Sequence, residues 1–413
     1  MNRYGCIGKK LTHSFSKEIH ARLADYTYEL IELTEEQLPA FMTQKAFAAV
    51  NVTMPYKQAV IPFLDEISDV ARRIGAVNTI VHRDGKLYGY NTDYYGMKAL
   101  TTRVLSDLCG KKVLVLGTGG TSKTACAVAA DLGAAQVLTV SRRASEEHIT
   151  YAQAMTDHAD ARVIINTTPC GMYPDGDSTP IDRAPFTQLE GVIDAVYNPL
   201  RTTLILDAKR RGIPAEGGLY MLVTQAVVAA ERFLDTSIDH AVAEGVFADL
   251  LATKENIVLT GMPGSGKSTV GKQLDIDGYT FVDTDIVVEQ RCGCTIKELM
   301  ATKGEAYFRD VEAAVIRDLS AQGGCIIATG GGAVLREENV RHLKRNGKLF
   351  FLDAPLERLR ATDDRPLADT EDKLAKLYTE RRDVYRATAD VVVPAMATPA
   401  EEAEYILTKR MER

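Results

Sequence analysis

The stretch "GMPGSGKST", Gly261 to Thr269, decides the fold of the C-terminal part of the chain. It satisfies the pattern G-x-x-x-x-G-K-[ST] and lies between an apolar run, "NIVLTG", and a segment of helical periodicity. In such a loop the backbone N–H groups cradle phosphates, the lysine reaches the terminal phosphates and the next hydroxyl ligates Mg²⁺. The sequence therefore predicts an ATP-binding P-loop rather than a flexible loop that matches by chance. Its predicted phosphate contacts are Gly261, Gly264, Ser265, Gly266, Lys267, Ser268 and Thr269, with Ser268 also a metal ligand.

Two carboxylates follow this loop in the segment "FVDTDIVVE". Asp283 and Asp285 are two residues apart at the end of a predicted strand, so we expect both side chains on one face. One carboxylate can hold the metal through water while the other meets an acceptor hydroxyl. The alternative is a solvated pair of loop residues.

Further motifs downstream indicate what accepts the phosphate. "GEAYFRDVE" places Arg309 and Glu312 one helical turn apart, and "IIATGGGAV" places three glycines after a strand, where backbone can approach a ligand closely. The segments "DDRPL" and "YTERRDVYR" add arginines at positions 365, 381, 382 and 386. Arginines gathered near a phosphate site in an acidic protein favour an anionic acceptor or transfer intermediate, although any one of them could be a surface residue.

In these motifs residues 256 to 413 resemble shikimate kinase. The Walker loop, Asp-x-Asp, "GEAYFR", "GGG", "RPL" and R-x-x-x-Y occur in the family's order. The resemblance implies that shikimate is held by Asp285, Arg309, Gly331, Gly332 and Arg381. It also implies that Asp285 is nearest the accepting hydroxyl, that Asp283 lies near Mg²⁺ and that Arg365 sits on a closing lid over ATP. The spacing of "RLRATDDRPL" departs from the family, which leaves either Arg358 or Arg360 near adenine.

A second glycine-rich loop, "GTGGTSK" from Gly117 to Lys123, lies upstream between the apolar run "KVLVL" and a helical segment that Gly133 is expected to end. Strand, glycine turn and helix form the context of a dinucleotide site, although Ser122 replaces the third glycine of G-x-G-x-x-G. The next predicted strand ends in "SRR", where an NAD enzyme would place an acid against the ribose diol. Arginine suits a 2′-phosphate instead, so we favour NADP over NAD and over a Rossmann-like domain without catalysis. The predicted NADP contacts are Gly117, Gly119, Gly120, Thr121, Ser141, Arg142, Arg143 and Thr167.

The first hundred residues alternate short apolar runs with segments of helical spacing, among them "YKQAVIPFLDEI" at 56–67, which we expect to form a helix. They also offer a pair of catalytic groups. "NVTMPYK" places Lys57 just past a strand and turn, and "YGYNTDYYG" places Asp93 in a similar position. A lysine beside an aspartate can deliver a proton to a carbonyl oxygen while hydride attacks the carbon. Taken singly, Lys57 would be a surface lysine and Asp93 a turn residue. Together with the hydroxyls of "THSFS" and the amide of "GAVNT", they indicate a polyol site.

These residues make positions 1 to about 250 similar to shikimate dehydrogenase. The similarity rests on "HSFS", "NVTMPYK", "GAVNT", "NTD", "GTGG", "SRR", "NTTPCGM", "YNP" and "GLYMLVTQA". It implies that Lys57 and Asp93 are the catalytic pair and that the final helix folds back onto the substrate domain. The implied substrate contacts are Ser14, Ser16, Thr53, Asn78, Tyr197 and Gln225. Lys17, where the family usually has proline, and "SRR" in place of Asn-Arg-Thr depart from the pattern without removing a catalytic group.

Composition limits the partners and the compartment. The net charge of −7 argues against a sequence-independent nucleic-acid surface, and no apolar run approaches the length of a membrane span or signal peptide. The seven cysteines lack paired CxxC spacing, and "CGC" at 292–294 cannot supply four zinc ligands. We therefore expect a cytoplasmic protein that acts on small molecules, with neither nucleic-acid nor membrane partners.

The sequence thus predicts an α/β protein with two fused enzymes. Residues 1–252 would form the dehydrogenase, with 1–100 and 218–252 binding the substrate and 101–217 forming a Rossmann-like NADP domain. Residues 255–413 would form a P-loop kinase domain with a parallel sheet. The resemblance implies NADPH-dependent reduction of 3-dehydroshikimate, followed by phosphorylation of shikimate by ATP and Mg²⁺. Three alternatives are a quinate/shikimate dehydrogenase that prefers NAD, a first half that senses shikimate without catalysis, and another small-molecule kinase.

Overall fold

The chain divides into two compact units, Met1–Asp249 and Leu250–Arg413. The computed structural model describes residues 3–11, 15–360 and 367–412. Within the first unit lie two six-stranded sheets, and within the second a single five-stranded sheet. Helices accompany every sheet, which confirms the predicted α/β class.

The N-terminal part of the first unit is built on a mixed sheet. Its strands are β1 (Tyr4–Gly8), β2 (Tyr28–Glu32), β3 (Ala49–Val52), β4 (Glu66–Ile67), β5 (Thr79–Arg83) and β6 (Lys86–Tyr90), and its helices are α1 (Ser16–Leu23), α2 (Leu38–Gln44), α3 (Asp69–Ile74) and α4 (Asp93–Val104). The strand order is β2-β1-β3-β5-β6-β4. β1 pairs in parallel with β2 and β3, whereas β5 is antiparallel to both neighbours. Apolar residues of β1, β3 and β5, among them Ile7, Val50 and Ile80, are fully buried in one core.

Residues 56–67, "YKQAVIPFLDEI", do not form the helix that their apolar spacing predicts. They make consecutive turns, one turn of 3₁₀ helix at Ile61–Phe63, and then β4. Pro62 lacks the N–H that an α-helix would use and disfavours helical backbone at Ile61. The Ile61 N–H instead bonds to the Gln58 carbonyl, a separation of three residues. The helical prediction for this segment is therefore wrong.

The second sheet of the first unit is entirely parallel. Its strands are β7 (Lys112–Leu116), β8 (Gln136–Ser141), β9 (His148–Thr150), β10 (Val163–Asn166), β11 (Gly191–Asp194) and β12 (Ala215–Glu216), with helices α5 (Gly120–Asp131), α6 (Tyr151–Thr156) and α7 (Thr203–Arg210). The strand order is β12-β11-β10-β7-β8-β9. From β7 the chain adds β8 and β9 on one side and then returns to add β10, β11 and β12 on the other side. In open parallel sheets, ligands bind outside the carboxyl ends of the strands at such a reversal. Gly133, with φ of +85°, lies just past α5, where the sequence predicts the helix to end.

Two long helices follow, α8 (Leu219–Leu234) and α9 (His240–Lys254), and the boundary between the two units falls within α9. α8 packs against α1, α4 and β5, all of which lie in the first part of the chain. Gly96 on α4 permits this packing, because a Cβ there would lie 2.6 Å from the Met221 carbonyl oxygen and 3.0 Å from the Gln225 Cβ. α9 ends at Lys254, two residues before the next strand begins.

The second unit is a parallel sheet covered by helices on both faces. Its strands are β13 (Asn256–Thr260), β14 (Thr280–Asp283), β15 (Cys325–Ala328), β16 (Gly347–Asp353) and β17 (Val391–Pro394), and its helices are α10 (Lys267–Gln273), α11 (Thr284–Cys292), α12 (Ile296–Ser320), α13 (Glu337–Asn346), α14 (Glu371–Thr388) and α15 (Pro399–Arg410). The order is β14-β15-β13-β16-β17. All five residues of central β13 are buried, as expected for a strand with both faces covered.

Among the described residues, no helix combines the length and apolar character needed to cross a membrane. 

Candidate active sites

The predicted catalytic pair of the first unit meets at one point. Lys57 follows β3 after a turn closed by the Tyr56 N–H and the Thr53 carbonyl, and Asp93 is the first residue of α4. The Lys57 Nζ lies 2.5 Å from Asp93 Oδ2. The two side chains are only 18% and 12% exposed. The pair is thus mostly, but not fully, shielded from solvent.

Asn78 holds the start of α4 in place. Its Oδ1 accepts the Thr92 N–H at 2.6 Å, and its Nδ2 donates to Thr92 Oγ1 at 3.0 Å. The Thr92 hydroxyl also lies 3.4 Å from Gln225 Oε1. Asn78 and Gln225, two predicted substrate residues, are mostly buried. The structure therefore joins them through Thr92, which the sequence analysis missed although it lies inside "NTD".

The remaining predicted substrate residues lie on three different elements. Ser16 is the first residue of α1, and Thr53 follows β3, its N–H bonded to the Ile7 carbonyl. Tyr197 packs against Phe15 with 5.4 Å between ring centroids, and burial raises the pKa of Tyr197. Ser14 lies outside the described residues.

The glycine loop after β7 forms an open cradle. Gly117 has φ of +108°, and a Cβ there would lie 2.9 Å from Thr167 Oγ1, which itself donates to the Leu116 carbonyl. At Gly119 and Gly120, by contrast, a Cβ would meet no protein atom within 4 Å. The empty space lies at the start of α5, where backbone N–H groups favour a pyrophosphate. This loop therefore fits a dinucleotide.

The other residues at this end of the sheet also agree with that fit. Ser122, at the third position of the fingerprint, is only 2% exposed, so its small side chain takes the packed place usually held by glycine. Thr121 lies beside it in the first turn of α5. Ser141 ends β8, Arg142 and Arg143 follow it, and all three line a cavity of about 550 Å³. Both arginines are exposed and can reach a phosphate there.

The P-loop of the second unit has the backbone its glycines predict. Gly261, Gly264 and Gly266 have φ of +146°, +81° and +88°, which side chains rarely adopt. The Lys267 Nζ folds back to donate to the Gly261 and Met262 carbonyls at 3.0 and 2.9 Å. Ser265 is buried and its Oγ has no hydrogen-bond partner within the described ranges, whereas Thr269 is exposed.

The two predicted metal ligands are in contact. The Ser268 hydroxyl donates to Asp283 Oδ2 at 2.5 Å. A hydroxyl and one carboxylate beside a phosphate loop are a donor set that suits Mg²⁺, which keeps several waters and shares substrate phosphates. No cluster of three or more histidine, cysteine or acidic side chains that could hold a metal occurs in the described part of the chain. Ser268 and Asp283 therefore fit a magnesium ion that is shared with a nucleotide.

Asp285 does not lie on the strand that the sequence analysis assigned to it. β14 ends at Asp283, which caps α11 by accepting the Asp285 N–H at 3.0 Å, and Asp285 lies in the first turn of the helix. The argument from strand alternation is wrong, because Asp283 makes a better helix cap than a further strand residue. The two carboxylates remain neighbours through the cap.

Asp285 faces a second buried carboxylate across Gly330. A Cβ on Gly330 would lie 2.6 Å from both Asp285 Oδ1 and Glu312 Oε1. Neither oxygen has a hydrogen-bond partner among the described residues. Burial, with repulsion from Asp283 and Glu312, raises the pKa of Asp285 to about 6, and burial also raises the pKa of Glu312. The site therefore holds two acceptors that lack donors.

Positive groups border these carboxylates. The Arg309 Nη1 donates to Glu312 Oε2 at 2.8 Å, as the spacing of one helical turn indicates, and a Cβ on Gly332 would overlap the Arg309 guanidinium. Arg381 donates to the Gly331 carbonyl at 3.3 Å. Tyr385 donates to the same carbonyl, which explains the tyrosine of R-x-x-x-Y. The structure thus brings Arg309, Arg381 and the glycine triplet to one site.

Two further arginines are already paired with a carboxylate. Arg382 donates to both oxygens of Asp353 at 2.9 and 3.0 Å, and Arg386 donates to Asp353 Oδ2 at 2.6 Å. The sequence analysis expected these arginines to help hold an anion. In the structure Arg382 and Arg386 instead pair with Asp353, and only Arg381 lies at the glycine triplet.

Arg358 and Arg360, the two alternatives that the sequence leaves for a position near adenine, also have protein partners. Arg358 donates to the Met396 carbonyl at 2.5 Å, and Arg360 donates to the Glu357 and Leu359 carbonyls at 2.8 Å. Arg365, expected on the lid over ATP, lies outside the described residues.

The folds and the two sites define an enzyme that joins a Rossmann-type dehydrogenase to a P-loop kinase. Comparison with known families agrees with both parts. Residues 6–80 match the family model of the shikimate dehydrogenase substrate binding domain, and residues 263–411 match that of shikimate kinase.

Individual relatives cover the first part of the chain. A shikimate dehydrogenase (NADP(+)) of Clostridium beijerinckii is 37% identical over 265 residues, which span 60% of this chain and 97% of that protein. The crystal structure of shikimate dehydrogenase 1 from Peptoclostridium difficile is 34% identical, with a TM-score of 0.56 over 60% of this chain and 98% of that one. A shikimate 5-dehydrogenase of Thermus thermophilus, solved with NADP(H) and shikimate, is 28% identical, with a TM-score of 0.54 over 60% and 99%.

The chain belongs to the shikimate dehydrogenase family, and it carries a shikimate kinase domain after the dehydrogenase part.

Proposed function

We propose that this chain catalyses two successive reactions. The first unit reduces 3-dehydroshikimate to shikimate with NADPH, and the second transfers the γ-phosphate of ATP to shikimate, giving shikimate 3-phosphate. The observation that carries the proposal is the presence, in one chain, of the Lys57–Asp93 pair and of the unpartnered acceptors of Asp285 and Glu312.

The dehydrogenase step needs a proton donor beside the carbonyl oxygen. The Lys57 ammonium supplies that proton, and Asp93, 2.5 Å away, orients the ammonium. Asn78 and Thr92 hold Asp93 at the start of α4. NADPH, when bound, supplies the hydride to the carbonyl carbon. Ser14, Ser16, Thr53, Tyr197 and Gln225 are the proposed contacts to the substrate's hydroxyl and carboxylate groups.

Arg142 supports NADP as the cofactor. Arg142 directly follows β8 and lines the 550 Å³ cavity, where the dinucleotide's ribose is expected to lie. A 2′-phosphate there would be held by Arg142, with Arg143 and Ser141 beside it. Thr121 and Thr167, with Gly117, Gly119 and Gly120, would border the pyrophosphate. Titration with NADPH and NADH tests this preference against the quinate/shikimate dehydrogenase that prefers NAD.

The kinase step consists mainly of positioning and charge neutralisation. Asp285 accepts the hydrogen bond of the attacking hydroxyl, and its pKa of about 6 allows it to take the proton. Lys267 leaves the loop carbonyls to meet the terminal phosphates, which fill the P-loop from Gly261 to Thr269. Ser268 and Asp283 would hold Mg²⁺, which would supply positive charge to the phosphates.

A polyol carrying an anionic group fits the acceptor side of this site. Asp285 Oδ1 and Glu312 Oε1 lie close together without donors, so neighbouring hydroxyl groups can satisfy both. Arg309 and Arg381 lie at the same place and suit a carboxylate. Gly331 and Gly332 leave room for the ring. These properties favour shikimate over a nucleoside or protein acceptor.

The partners are small molecules. We further propose that nucleic acid and membranes are not partners, which the net charge of −7 supports for nucleic acid. A cytoplasmic location fits the use of NADPH and ATP and the seven cysteines, none of which is in a disulfide.

A coupled assay on the full chain tests the proposal. With 3-dehydroshikimate, NADPH, ATP and Mg²⁺, we expect NADPH oxidation and an ADP release that depends on NADPH. Lys57→Ala should abolish reduction and preserve shikimate-dependent ADP release, whereas Lys267→Ala should do the reverse.

Lys45→Ala is the matched control for Lys57→Ala, and Lys272→Ala is the matched control for Lys267→Ala. Each control removes a lysine from the same unit as its partner variant but outside the proposed site. Loss of both activities in one folded variant would contradict the assignment of separate sites. If shikimate supports ADP release but neither NADPH nor NADH is oxidised, the first unit is a binding module and Lys57 has another role.

A further inference from the structure

A fully buried carboxylate lies at the carboxyl edge of the parallel sheet in the first unit. Asp194 ends β11 opposite Asn166, which ends β10, and both side chains are inaccessible to solvent. Thr167 follows Asn166 directly, and Tyr197 lies three residues after Asp194. Asp194 therefore sits beneath two loops that carry proposed contacts, one to the cofactor and one to the substrate.

Three hydrogen bonds converge on this carboxylate. Asn166 Nδ2 donates to Asp194 Oδ1 at 2.9 Å, the Val196 N–H donates to the same oxygen at 3.0 Å, and the Thr202 hydroxyl donates to Oδ2 at 2.6 Å. Val196 and Thr202 lie at the two ends of the loop that contains Tyr197. One side chain thus fixes both ends of that loop.

The second loop is tied to the same carboxylate through Asn166. Asn166 Oδ1 accepts the Thr168 N–H at 3.0 Å and the Thr168 hydroxyl at 2.7 Å. The two loops are also joined directly, because the Tyr173 N–H donates to the Asn198 carbonyl at 3.2 Å. Movement of either loop therefore disturbs the other.

Burying the Asp194 carboxylate without an opposite charge lowers the stability of the fold, so stability alone does not account for it. All three donors to Asp194 are neutral, and within the described ranges no lysine or arginine forms an ion pair with it. Burial raises the pKa of Asp194 to about 6, so the charged form is disfavoured by its surroundings. A carboxylate accepts several hydrogen bonds at defined angles without donating any, which a neutral amide of the same size cannot do. Its advantage is geometric.

We propose that Asp194 is a positioning residue for the reduction, fixing the loops that carry Thr167 and Tyr197 so that cofactor and substrate meet in line. This inference rests on the proposed dehydrogenase function. It assigns a role to a residue that contacts neither reactant. Misplacement of reacting groups by about 1 Å can cost about 100-fold in rate, so the effect should fall on kcat more than on binding.

The test compares full-chain Asp194→Asn with wild type. We expect kcat for 3-dehydroshikimate reduction to fall about 10- to 100-fold, with KM near its wild-type value. The primary deuterium isotope effect with NADPH labelled at the transferred position should rise, because hydride transfer becomes limiting. Kinase activity on shikimate, measured on the same sample, should stay unchanged, and thermal unfolding of the first unit reports whether the variant is folded.

A second pair of variants acts on the other loop. Thr168→Val removes the hydroxyl that donates to Asn166, whereas Thr168→Ser keeps it, so the first should reproduce the loss and the second should not. Thr168 is only half-buried, so the pair remains decisive if Asp194→Asn fails to fold.

Wild-type kcat and isotope effect in folded Asp194→Asn or Thr168→Val would overturn the inference, as would lower thermal stability with kcat intact. If wild type itself does not reduce 3-dehydroshikimate, the proposed function fails, and this inference fails with it for that separate reason.

Discussion

The two candidate sites differ in whether their carboxylate oxygens have partners within the protein. In the dehydrogenase unit, Lys57 and Asp93 lie 2.5 Å apart, so each charge has its partner before any ligand arrives. In the kinase unit, Asp285 and Glu312 each present an oxygen without a donor, and burial with mutual repulsion raises the pKa of Asp285 to about 6. The first site is complete within the protein. The second depends on its ligands for the missing hydrogen-bond donors, so it should trade stability for function.

The largest expected effect comes from breaking the complete pair. Asp93→Asn should lower the rate of 3-dehydroshikimate reduction by about 10²- to 10⁴-fold, because the proton donor loses its orienting carboxylate. The same change should destabilise the first unit by about 1–3 kcal/mol, since it leaves the Lys57 ammonium without a counter-charge. NADPH oxidation and thermal unfolding of the full chain measure the two effects. Unchanged or higher stability would show that the pair does not stabilise the first unit.

The matched change in the kinase unit should separate activity from stability. Asp285→Asn should lower phosphoryl transfer to shikimate by about 10²- to 10⁴-fold, because the group that accepts the hydroxyl proton is lost. Stability of the second unit should rise, because the variant removes a carboxylate whose charged form is disfavoured by burial and by repulsion from Asp283 and Glu312. ADP release and the unfolding transition that ATP shifts measure the two results. A fall in stability would remove the contrast between the sites.

The pH dependence of stability sharpens the same contrast. The pKa of Asp285 in the folded protein, about 6, lies above its ordinary value of 3.8, so between these values the folded state binds more protons than the unfolded state. Stability of the kinase unit should therefore fall as pH rises from about 4 to 6, by on the order of 3 kcal/mol from this group. Urea unfolding across that range measures the slope. Asp285→Asn should flatten it, and an unaltered slope in the variant would assign the effect elsewhere.

The smallest expected effect comes from replacing one glycine in each unit, Gly330 and Gly120. Gly330→Ala places a Cβ 2.6 Å from Asp285 Oδ1 and Glu312 Oε1, so we expect about 1–3 kcal/mol of destabilisation and a higher KM for shikimate. Gly120→Ala meets no protein atom within 4 Å, so folding should be unaffected and only the KM for NADPH should rise. Thermal unfolding and steady-state kinetics compare the two variants. Equal destabilisation would mean that the loop before α5 is not an open cradle.

The sequence predicts the position of a functional group well where the group follows a strand closely. Lys57, Asp93 and the P-loop all lie within a few residues of a strand's carboxyl end, and parallel strands bring such ends to one edge. The same local reasoning failed for residues 56–67, where Pro62 overrides apolar spacing, and for Asp285, because α11 already begins at Thr284.

Other features depend on packing between distant segments. Glu312 was noticed for its spacing from Arg309, but its approach to Asp285 depends on where α11 and α12 lie beside Gly330. Asp353 captures Arg382 and Arg386 only because β16 ends beside α14. Nor does the sequence show that Asp194 reaches Thr202, since that contact depends on the path of the loop between them. These contacts are tertiary, and residue type alone carries no signal for them.

Gly96 has a consequence for how variants of this enzyme will be interpreted. Its missing side chain lets α8 lie close enough to α4 for Gln225 to meet Thr92. In a saturation mutagenesis screen for dehydrogenase activity, nearly every replacement at this position should fail, as at Lys57 or Asp93. Gly96, which has no functional group, would then score like the catalytic residues. Only purified variants whose folding is measured would show that Gly96 acts through helix packing and not through catalysis.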